Sequence, residues 1–397
     1  MPFCKVADPQ ANTEGASVNA TEIFYRTYGR GTTKVLLIIG LAGTHDSWGP
    51  QIKGLTGSNR PNHDDKLTVV DQNSGEECDS EMGGGIEVCA FDNRGMGRSS
   101  VPTKKSQYTT KIMAKDAIAV MDHLGWQKAH VFGHSMGAMI ACKLAAMVPD
   151  RILSLALLNV TGGGFECFPK LDRQTVSIAI RFLKAKTPEQ RAAVDLDTHY
   201  TKEYLEEYVG SKTRRSILYQ EYVKGISSTG MQSNYGFEGQ INACWTHKIT
   251  RREIEVIRSA GFLVSVIHGR YDIIAQLYYA RRLAEKLQPV ARMIDLHGGH
   301  LVSHERTEEV NQGLHDLIKA SESKISPHDW TNLPQKNSAG MRWISFSMTS
   351  TDCSTFSIAK KIYLCLLYIC SLFLLVLEHA RRAQRRLRPA RLEASLT

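Results

Sequence analysis

The order of apolar and amphipathic segments predicts an α/β fold, with a mostly parallel central sheet and helices on both of its faces. The run KVLLIIG at residues 34–40 is apolar throughout, which is typical of a strand buried on both faces. Helical stretches separate such runs, and between Thr109 and Leu124 the apolar residues share one face. Alternating strands and helices of this kind form a parallel sheet. The remaining predicted strands lie at 21–29, 86–91, 129–133, 152–160, 262–268 and 292–296.

The positive charge of the chain is concentrated near its carboxyl end. The 397 residues carry 49 Lys and Arg against 40 Asp and Glu, a formal net charge of +9. From Lys360 onward, eight basic residues stand against two acidic ones, so +6 belongs to this tail and +3 to the rest. A nearly neutral body does not indicate nucleic-acid binding.

The cysteines and the amino-terminal residues bear on the cellular compartment. Nine cysteines are scattered without C-x-x-C spacing, which favours reduced thiols in a cytosolic domain over a disulfide framework. Residues 1–15 are polar and lack the apolar segment of a secretory signal peptide, so we expect no such signal.

Composition divides the chain into a core with two additions. Residues 164–249 are aromatic-rich, show helical periodicity and lack strand-like runs, which predicts a helical lid above the strand ends. Within it, Thr187-Pro188 predicts a helix start with proline at the first helical position. Residues 53–85 are polar and acidic, and we interpret part of them as a loop insertion. The predicted segments are core 16–163, lid 164–249, core 250–320 and a Ser-, Thr- and Asn-rich linker 321–357.

The pentapeptide Gly-His-Ser-Met-Gly at residues 133–137 has the pattern G-x-S-x-G. It follows the apolar run 129–132 and precedes the helix-forming run 138–148. A strand, a tight turn and a helix are the context of a nucleophile elbow, which holds a serine in a strained conformation above the sheet. We therefore predict that Ser135 is a nucleophile.

A serine nucleophile needs an orienting carboxylate, which follows the serine in chains with this kind of elbow. Asp272 lies just past the carboxyl end of the predicted strand 262–268, after a turn that contains glycine. Asp92 and Asp295 are the alternatives. Asp92 precedes the serine, and Asp295 falls within the last predicted strand. We therefore predict that Asp272 is the acid.

The base is predicted in the loop after the last strand, where His297, His300 and His304 compete. The two glycines before His300 allow a loop that turns the imidazole back over the elbow. His297 stands at the strand end and His304 begins the final helix, so we predict His300 as the base.

Two backbone amides are predicted to form an oxyanion hole. One belongs to Met136, the residue after the nucleophile. The other belongs to Leu41, in the glycine-containing loop 40–43 that follows the KVLLIIG strand. A plain glycine turn is the alternative interpretation of that loop.

Taken together, these motifs resemble the α/β-hydrolase superfamily over about residues 22–320. Residues 91–100, FDNRGMGRSS, resemble the family's D-x-R-G-x-G-x-S turn, and the segments 268–272 (HGRYD) and 298–301 (GGHL) match family patterns. The resemblance implies the fold, a helical cap after the sixth strand, and Ser135, Asp272 and His300 as a catalytic triad. The chain departs from the family in two ways: Ile39-Gly40 stands where His-Gly is common, and the insertion at 53–85 is unusual.

An uncharged run of sixteen residues, Ile362 to Leu377, lies in the tail. As a helix it would extend ~24 Å, against a hydrocarbon core of ~30 Å, and Lys360 and Lys361 before it can snorkel. We predict a membrane-anchoring segment at 358–378, a basic tail at 379–397 and a catalytic domain that faces the cytosol. The arginines after the run favour the opposite orientation, which would require export of the whole domain. The endoplasmic reticulum and the mitochondrial, plastid and peroxisomal surfaces all stay open.

The residues therefore predict a serine hydrolase that cleaves an ester, thioester or lactone through an acyl-enzyme. This chemistry needs no metal and no organic cofactor. The aromatic lid and the anchor favour an apolar acyl substrate, and the partners expected are this small molecule and the membrane. Acyl transfer on the same triad is one alternative, and a non-catalytic ligand sensor or scaffold is another. The oligomeric state stays open.

Overall fold

The computed structural model describes residues 2–6, 20–62, 85–170, 172–229 and 232–334. The predicted anchor, the basic tail, most of the linker and most of the 53–85 insertion lie outside these residues. Among the residues that are described, no helix is long and apolar enough to cross a membrane.

An eight-stranded sheet forms the centre of the fold, in the order β1-β2-β4-β3-β5-β6-β9-β10. The first two strands run antiparallel to their neighbours, and the others are parallel. The predicted α/β-hydrolase fold is therefore confirmed. The strands of this sheet are β1 (Phe3–Val6), β2 (Thr21–Tyr28), β3 (Thr33–Ile38), β4 (Ile86–Phe91), β5 (Ala129–His134), β6 (Ile152–Leu158), β9 (Leu263–Gly269) and β10 (Ala291–Leu296).

Helices cover both faces of the sheet, and a core of buried apolar side chains lies on each face. Apolar residues at successive strand positions alternate between the two cores: Leu36 and Ile38 point to one, and Leu37 to the other. The helices before residue 164 and after residue 249 are α1 (Gly49–Thr56), α2 (Thr110–His123), α3 (Met136–Met147), α9 (Arg251–Ser259), α10 (Leu277–Lys286), α11 (Val302–Glu305), α12 (Thr307–Glu322) and α13 (Pro327–Trp330).

Between β6 and α9 the chain forms five helices and a short hairpin, which we call the insert. As the sequence predicts, Thr187 caps the helix that begins at Pro188, and its hydroxyl accepts a bond from the Gln190 amide at 3.3 Å. The hairpin was not predicted, because its strands are only two residues long. The insert consists of α4 (Arg173–Lys184), α5 (Pro188–His199), α6 (Lys202–Glu206), β7 (Tyr208–Val209), β8 (Lys212–Thr213), α7 (Arg214–Thr229) and α8 (Asn234–Thr246).

The compact part of the chain extends past the end predicted for the core at residue 320. The linker does not begin at residue 321, because α12 continues to Glu322 and the compact unit extends to Pro334. The buried Trp330 donates from its indole nitrogen to the Val264 carbonyl at 2.9 Å, which holds this polar segment on the sheet. The first four residues of the polar stretch 53–85 are helical and complete α1.

Four histidines with lowered pKa values are expected to make the folded state sensitive to mild acid. Burial lowers the pKa of His130 to about 4, and it lowers the pKa values of His134, His199 and His247 to about 3. An unfolded histidine titrates at about 6.5, so below that pH the unfolded chain binds more protons than the folded one. We expect stability to be complete above about pH 6.5 and to fall by up to about 2 kcal/mol per histidine at about pH 5.

Urea unfolding at neutral pH and at about pH 5 measures this effect. His130→Gln is expected to weaken the pH dependence, because glutamine takes up no proton on unfolding. The exposed His328→Gln is the matched control. An unfolding free energy that does not change between the two pH values would contradict the prediction.

Candidate active site

Ser135 is the single residue between the end of β5 and the start of α3. Its backbone has φ 54° and ψ −120°, a conformation that non-glycine residues rarely adopt. The two glycines of the motif let strand and helix cross closely. A Cβ on Gly133 would lie 2.4 Å from the Gly137 carbonyl oxygen, and one on Gly137 would lie 2.0 Å from the Ile38 carbonyl oxygen. The local geometry is thus that of a nucleophile elbow.

His300 and Asp272 complete a line of hydrogen bonds from Ser135. The serine Oγ lies 3.0 Å from His300 Nε2, and His300 Nδ1 lies 2.8 Å from Asp272 Oδ2. Because an ionised carboxylate only accepts, Nδ1 carries the proton and Nε2 is free to accept from the serine. The three residues follow β5, β9 and β10, whose carboxyl ends lie at one edge of the sheet.

Asp272 is ionised and firmly held. Burial alone would raise the pKa of Asp272, but His300, His268 and a hydrogen bond from Asn159 together lower it to about 2. The second carboxylate oxygen accepts the backbone amides of Ile274 and Ala275 at 2.8 and 2.9 Å. The carboxylate is therefore fixed in both position and charge.

Asn159 is a site residue that the sequence analysis missed. Its side-chain amide donates to Asp272 Oδ2 at 2.7 Å and to the Gly299 carbonyl at 3.2 Å, so it links the acid to the histidine loop. Asn159 directly follows β6 and has φ 49°. Asparagine is among the few residues that favour this conformation. An asparagine directly after a buried strand was therefore the sequence signal that could have identified Asn159 as a site residue.

Two further histidines flank the His300 ring. The His134 ring centroid lies 5.0 Å away, and its Nε2 donates to the His300 carbonyl at 2.8 Å. The His199 ring, at the end of α5, stacks on His300 with centroids 6.1 Å apart. Burial keeps the pKa values of both flanking histidines at about 3, so both are neutral at ordinary pH.

The alternative acids have other partners. Asp92 accepts from the His45 amide and ring at 2.8 Å each and from the Arg98 amide at 3.0 Å, which stabilises the turn of residues 92–100. Asp295 forms ion pairs with Arg270 and Arg281 on the outside of the sheet.

The alternative bases are also bonded elsewhere. His297 is exposed, and its carbonyl accepts from Arg306 at 2.7 Å. His304 donates from Nε2 to the Ser47 carbonyl at 2.8 Å, and its Nδ1 lies 3.1 Å from the Tyr200 hydroxyl. Only His300 among the three competing histidines of this loop contacts Ser135.

The predicted oxyanion donors belong to the two elements that flank Ser135. Met136 begins α3, where the first amides of a helix are not used by its own hydrogen bonds. Leu41 follows Gly40, and a Cβ on Gly40 would lie 3.0 Å from the Ser135 Cβ. The next residue, Ala42, has φ 60° and donates to the buried Gln240 side chain of α8 at 2.9 Å. The sequence analysis did not predict this contact between Gln240 and the loop 40–43.

A buried carboxylate joins the insert to the histidine loop. Glu305 Oε1 accepts the amides of Gly299 and Thr201 at 2.9 Å each, and its Oε2 accepts the Thr201 hydroxyl at 2.8 Å. Burial raises the pKa of Glu305, and the bonds from Thr201 and Gly299 act in the opposite direction. The Leu301 amide adds a bond to the His199 carbonyl at 2.9 Å. The segment after α5 and the loop that carries His300 are therefore one hydrogen-bonded unit.

Glu305→Ala is expected to lower the free energy of unfolding by about 3 kcal/mol, because it leaves the buried amides of Gly299 and Thr201 without an acceptor. Glu305→Gln keeps one oxygen for both amides and should lower the free energy of unfolding less. Thr201→Val should lower it by about 1.5 kcal/mol. Urea unfolding measures all three. Equal stability of the alanine and glutamine variants would show that the carboxylate oxygens do not hold the loop.

A family model described as the alpha/beta hydrolase fold matches residues 34–307, more than half of the chain. The chain therefore belongs to the α/β-hydrolase fold family. Among the residues that the structure describes, no group of three or more His, Cys, Asp or Glu side chains is placed to hold a metal ion.

The chain is also similar to individual proteins of bacteria. RutD of Caulobacter segnis, provisionally named a carbamate hydrolase, is 34% identical over 140 residues, which are 34% of this chain and 42% of RutD. BpoC of Mycobacterium tuberculosis, provisionally named a non-heme bromoperoxidase, is 27% identical over 59% of this chain and 83% of its own. The chain spans only about two fifths to one half of the RutD relatives it matches.

Among solved structures, the enol-lactonase of Burkholderia xenovorans LB400 superimposes with a TM-score of 0.57. It is 22% identical, and the match covers 77% of this chain and 99% of the enol-lactonase. At this identity the likeness supports the fold.

Proposed function

We propose that this chain is a serine hydrolase that cleaves a carboxylic ester, thioester or lactone. The observation that carries the proposal is the line from Ser135 Oγ through His300 to the ionised Asp272, with contacts of 3.0 and 2.8 Å. The provisional name of the relative RutD, carbamate hydrolase, is consistent with attack on a carbonyl carbon.

In the proposed reaction the Ser135 oxygen attacks the substrate carbonyl carbon while His300 Nε2 takes the hydroxyl proton. Asp272 stabilises the resulting imidazolium through the Nδ1–H bond. The amides of Leu41 and Met136 donate to the oxyanion. Collapse of the tetrahedral intermediate breaks the bond to the leaving group, which receives the proton from His300.

Water then completes the cycle. His300 removes a proton from a water molecule that attacks the acyl-Ser135 carbonyl, and it returns that proton to the serine oxygen as the acid product leaves. The aromatic residues of the insert, including Tyr200, Tyr204 and Tyr222, pack above the histidine loop and favour an apolar acyl group.

A fluorophosphonate probe tests the nucleophile directly. We expect it to label the wild type, and we expect Ser135→Ala to abolish the label. Ser265→Ala is the matched control, because Ser265 is a buried serine of the same sheet whose hydroxyl has no partner among the described residues. An unlabelled wild type, or a label that survives in Ser135→Ala, would rule out this function.

We further propose that residues 358–378 tether the hydrolase to a membrane, with the catalytic domain in the cytosol. The support is the uncharged run from Ile362 to Leu377. Carbonate extraction of membranes tests the tether: the full chain should stay in the membrane pellet. Release into the supernatant would remove this part of the proposal.

A further inference from the structure

Helix α4 of the insert exposes an apolar face. Val176, Ile180 and Leu183 are spaced by four and three residues, so they share one side of the helix. They are 44% to 65% exposed, whereas only Thr175 and Ile178 of this helix are buried. The helix therefore packs on the protein along a narrow stripe and turns a second apolar stripe outward.

The insert and the segment before α4 also expose aromatic residues. Phe165 is 68% exposed, and with Phe168 and Trp245 it forms a cluster whose ring centroids lie 5.2 to 6.3 Å apart. The Phe182 ring of α4 stacks on the Phe237 ring of α8, which also carries Trp245. We call the following exposed side chains the apolar patch: Phe165, Phe168, Val176, Ile180, Leu183 and Trp245.

Basic residues outnumber acidic ones in the segment that carries most of the apolar patch: residues 165–186 contain five Lys and Arg against Glu166 and Asp172. Helix α4 carries Arg173, Arg181 and Lys184 and no acidic residue. On a helical projection, Arg173 and Lys184 lie beside the stripe of Val176, Ile180 and Leu183, on the side away from the protein core. Arg181 lies further round the helix and pairs with Asp197 of α5 at 2.7 Å. An exposed apolar stripe with basic neighbours is typical of helices that lie in the interface of an anionic bilayer.

We propose that the apolar patch docks on the surface of a membrane that contains anionic lipids. The aliphatic residues enter the interface, and Trp245 and the phenylalanines occupy the headgroup boundary that aromatic side chains favour. Arg173 and Lys184 contact lipid phosphates. This inference concerns the folded domain itself and goes beyond the tether at 358–378. It does not depend on the proposed catalytic activity.

Quenching of Trp245 separates docking of the apolar patch from attachment by the tail. The full chain is reconstituted in phosphatidylcholine–phosphatidylserine vesicles that contain a headgroup-region doxyl lipid, and the Trp245 emission is obtained by subtracting the Trp245→Phe variant. We expect Trp245 to be quenched in the wild type. Quenching should be lost in I180E/L183E and weakened in R173Q/K184Q.

V101E/I325E is the matched control, because Val101 and Ile325 are 40% and 41% exposed and lie outside the apolar patch. It should keep full quenching. I180S/L183S provides a milder second variant, with circular dichroism as the check on folding. Equal quenching in wild type and I180E/L183E would overturn the proposal. The proposal would also be overturned if Trp245 stayed unquenched and the wild type formed dimers that I180E/L183E does not form. That result would assign the apolar patch to self-association.

Discussion

Replacing His300 by alanine is expected to lower kcat for ester hydrolysis by about a millionfold, because Ser135 then has no group to accept its proton. Hydrolysis of p-nitrophenyl acetate measures the loss. The double variant S135A/H300A should be no slower than H300A, because residues that act as one unit are not additive.

The control for this variant lies in the same loop. His297 is exposed and three residues from His300, and His297→Ala should keep wild-type kcat. A loss in His297→Ala as large as that in His300→Ala would show that the loop, and not the Ser135–His300 contact, limits activity.

Asp272→Asn is expected to lower kcat by about ten thousandfold. The asparagine side chain can offer its NH₂ group where the carboxylate accepted from His300, so the imidazole takes the wrong tautomer and no longer accepts from Ser135. KM should change little, because the substrate contacts stay in place. Steady-state kinetics with p-nitrophenyl esters separate kcat from KM.

Asp295→Asn is the matched control, since Asp295 was the rival acid and pairs with Arg270 and Arg281 instead. It should stay within a few-fold of the wild type. The kcat of Asn159→Leu should lie between those of Asp295→Asn and Asp272→Asn. This variant removes one of the four hydrogen bonds to the Asp272 carboxylate and leaves its charge. If Asp272→Asn retained wild-type kcat, Asp272 would have no orienting role.

The positions of Ser135, Asp272 and His300 could be predicted because each follows a strand with a recognisable apolar run. The carboxyl ends of parallel strands meet at one edge of a sheet, so strand order alone brings such residues near each other. The fold class followed from the same runs, because uninterrupted apolar segments separated by helices allow few other arrangements.

The supporting residues could not be predicted in this way. Asn159 and Asp272 are 113 residues apart, Thr201 and Glu305 are 104 apart, and Ala42 and Gln240 are 198 apart. Asn159 and Asp272 meet because β6 and β9 are neighbours in the sheet, and the other two pairs meet because the insert packs against loops of the core. No local pattern marks a polar residue as the partner of another so distant. Composition also placed the end of the core too early, at residue 320, because the buried Trp330 keeps its polar neighbours packed on the sheet.

The two neutral histidines beside His300 have a consequence for catalysis. In the proposed reaction His300 gains a positive charge, and a charged neighbour 5.0 or 6.1 Å away would oppose that gain. Because burial keeps His134 and His199 unprotonated down to about pH 3, they offer polarisable, uncharged surfaces on which the imidazolium can form. The expected acid sensitivity of the fold and the uncharged surroundings of His300 therefore have one origin, the desolvation of the neighbouring imidazole rings.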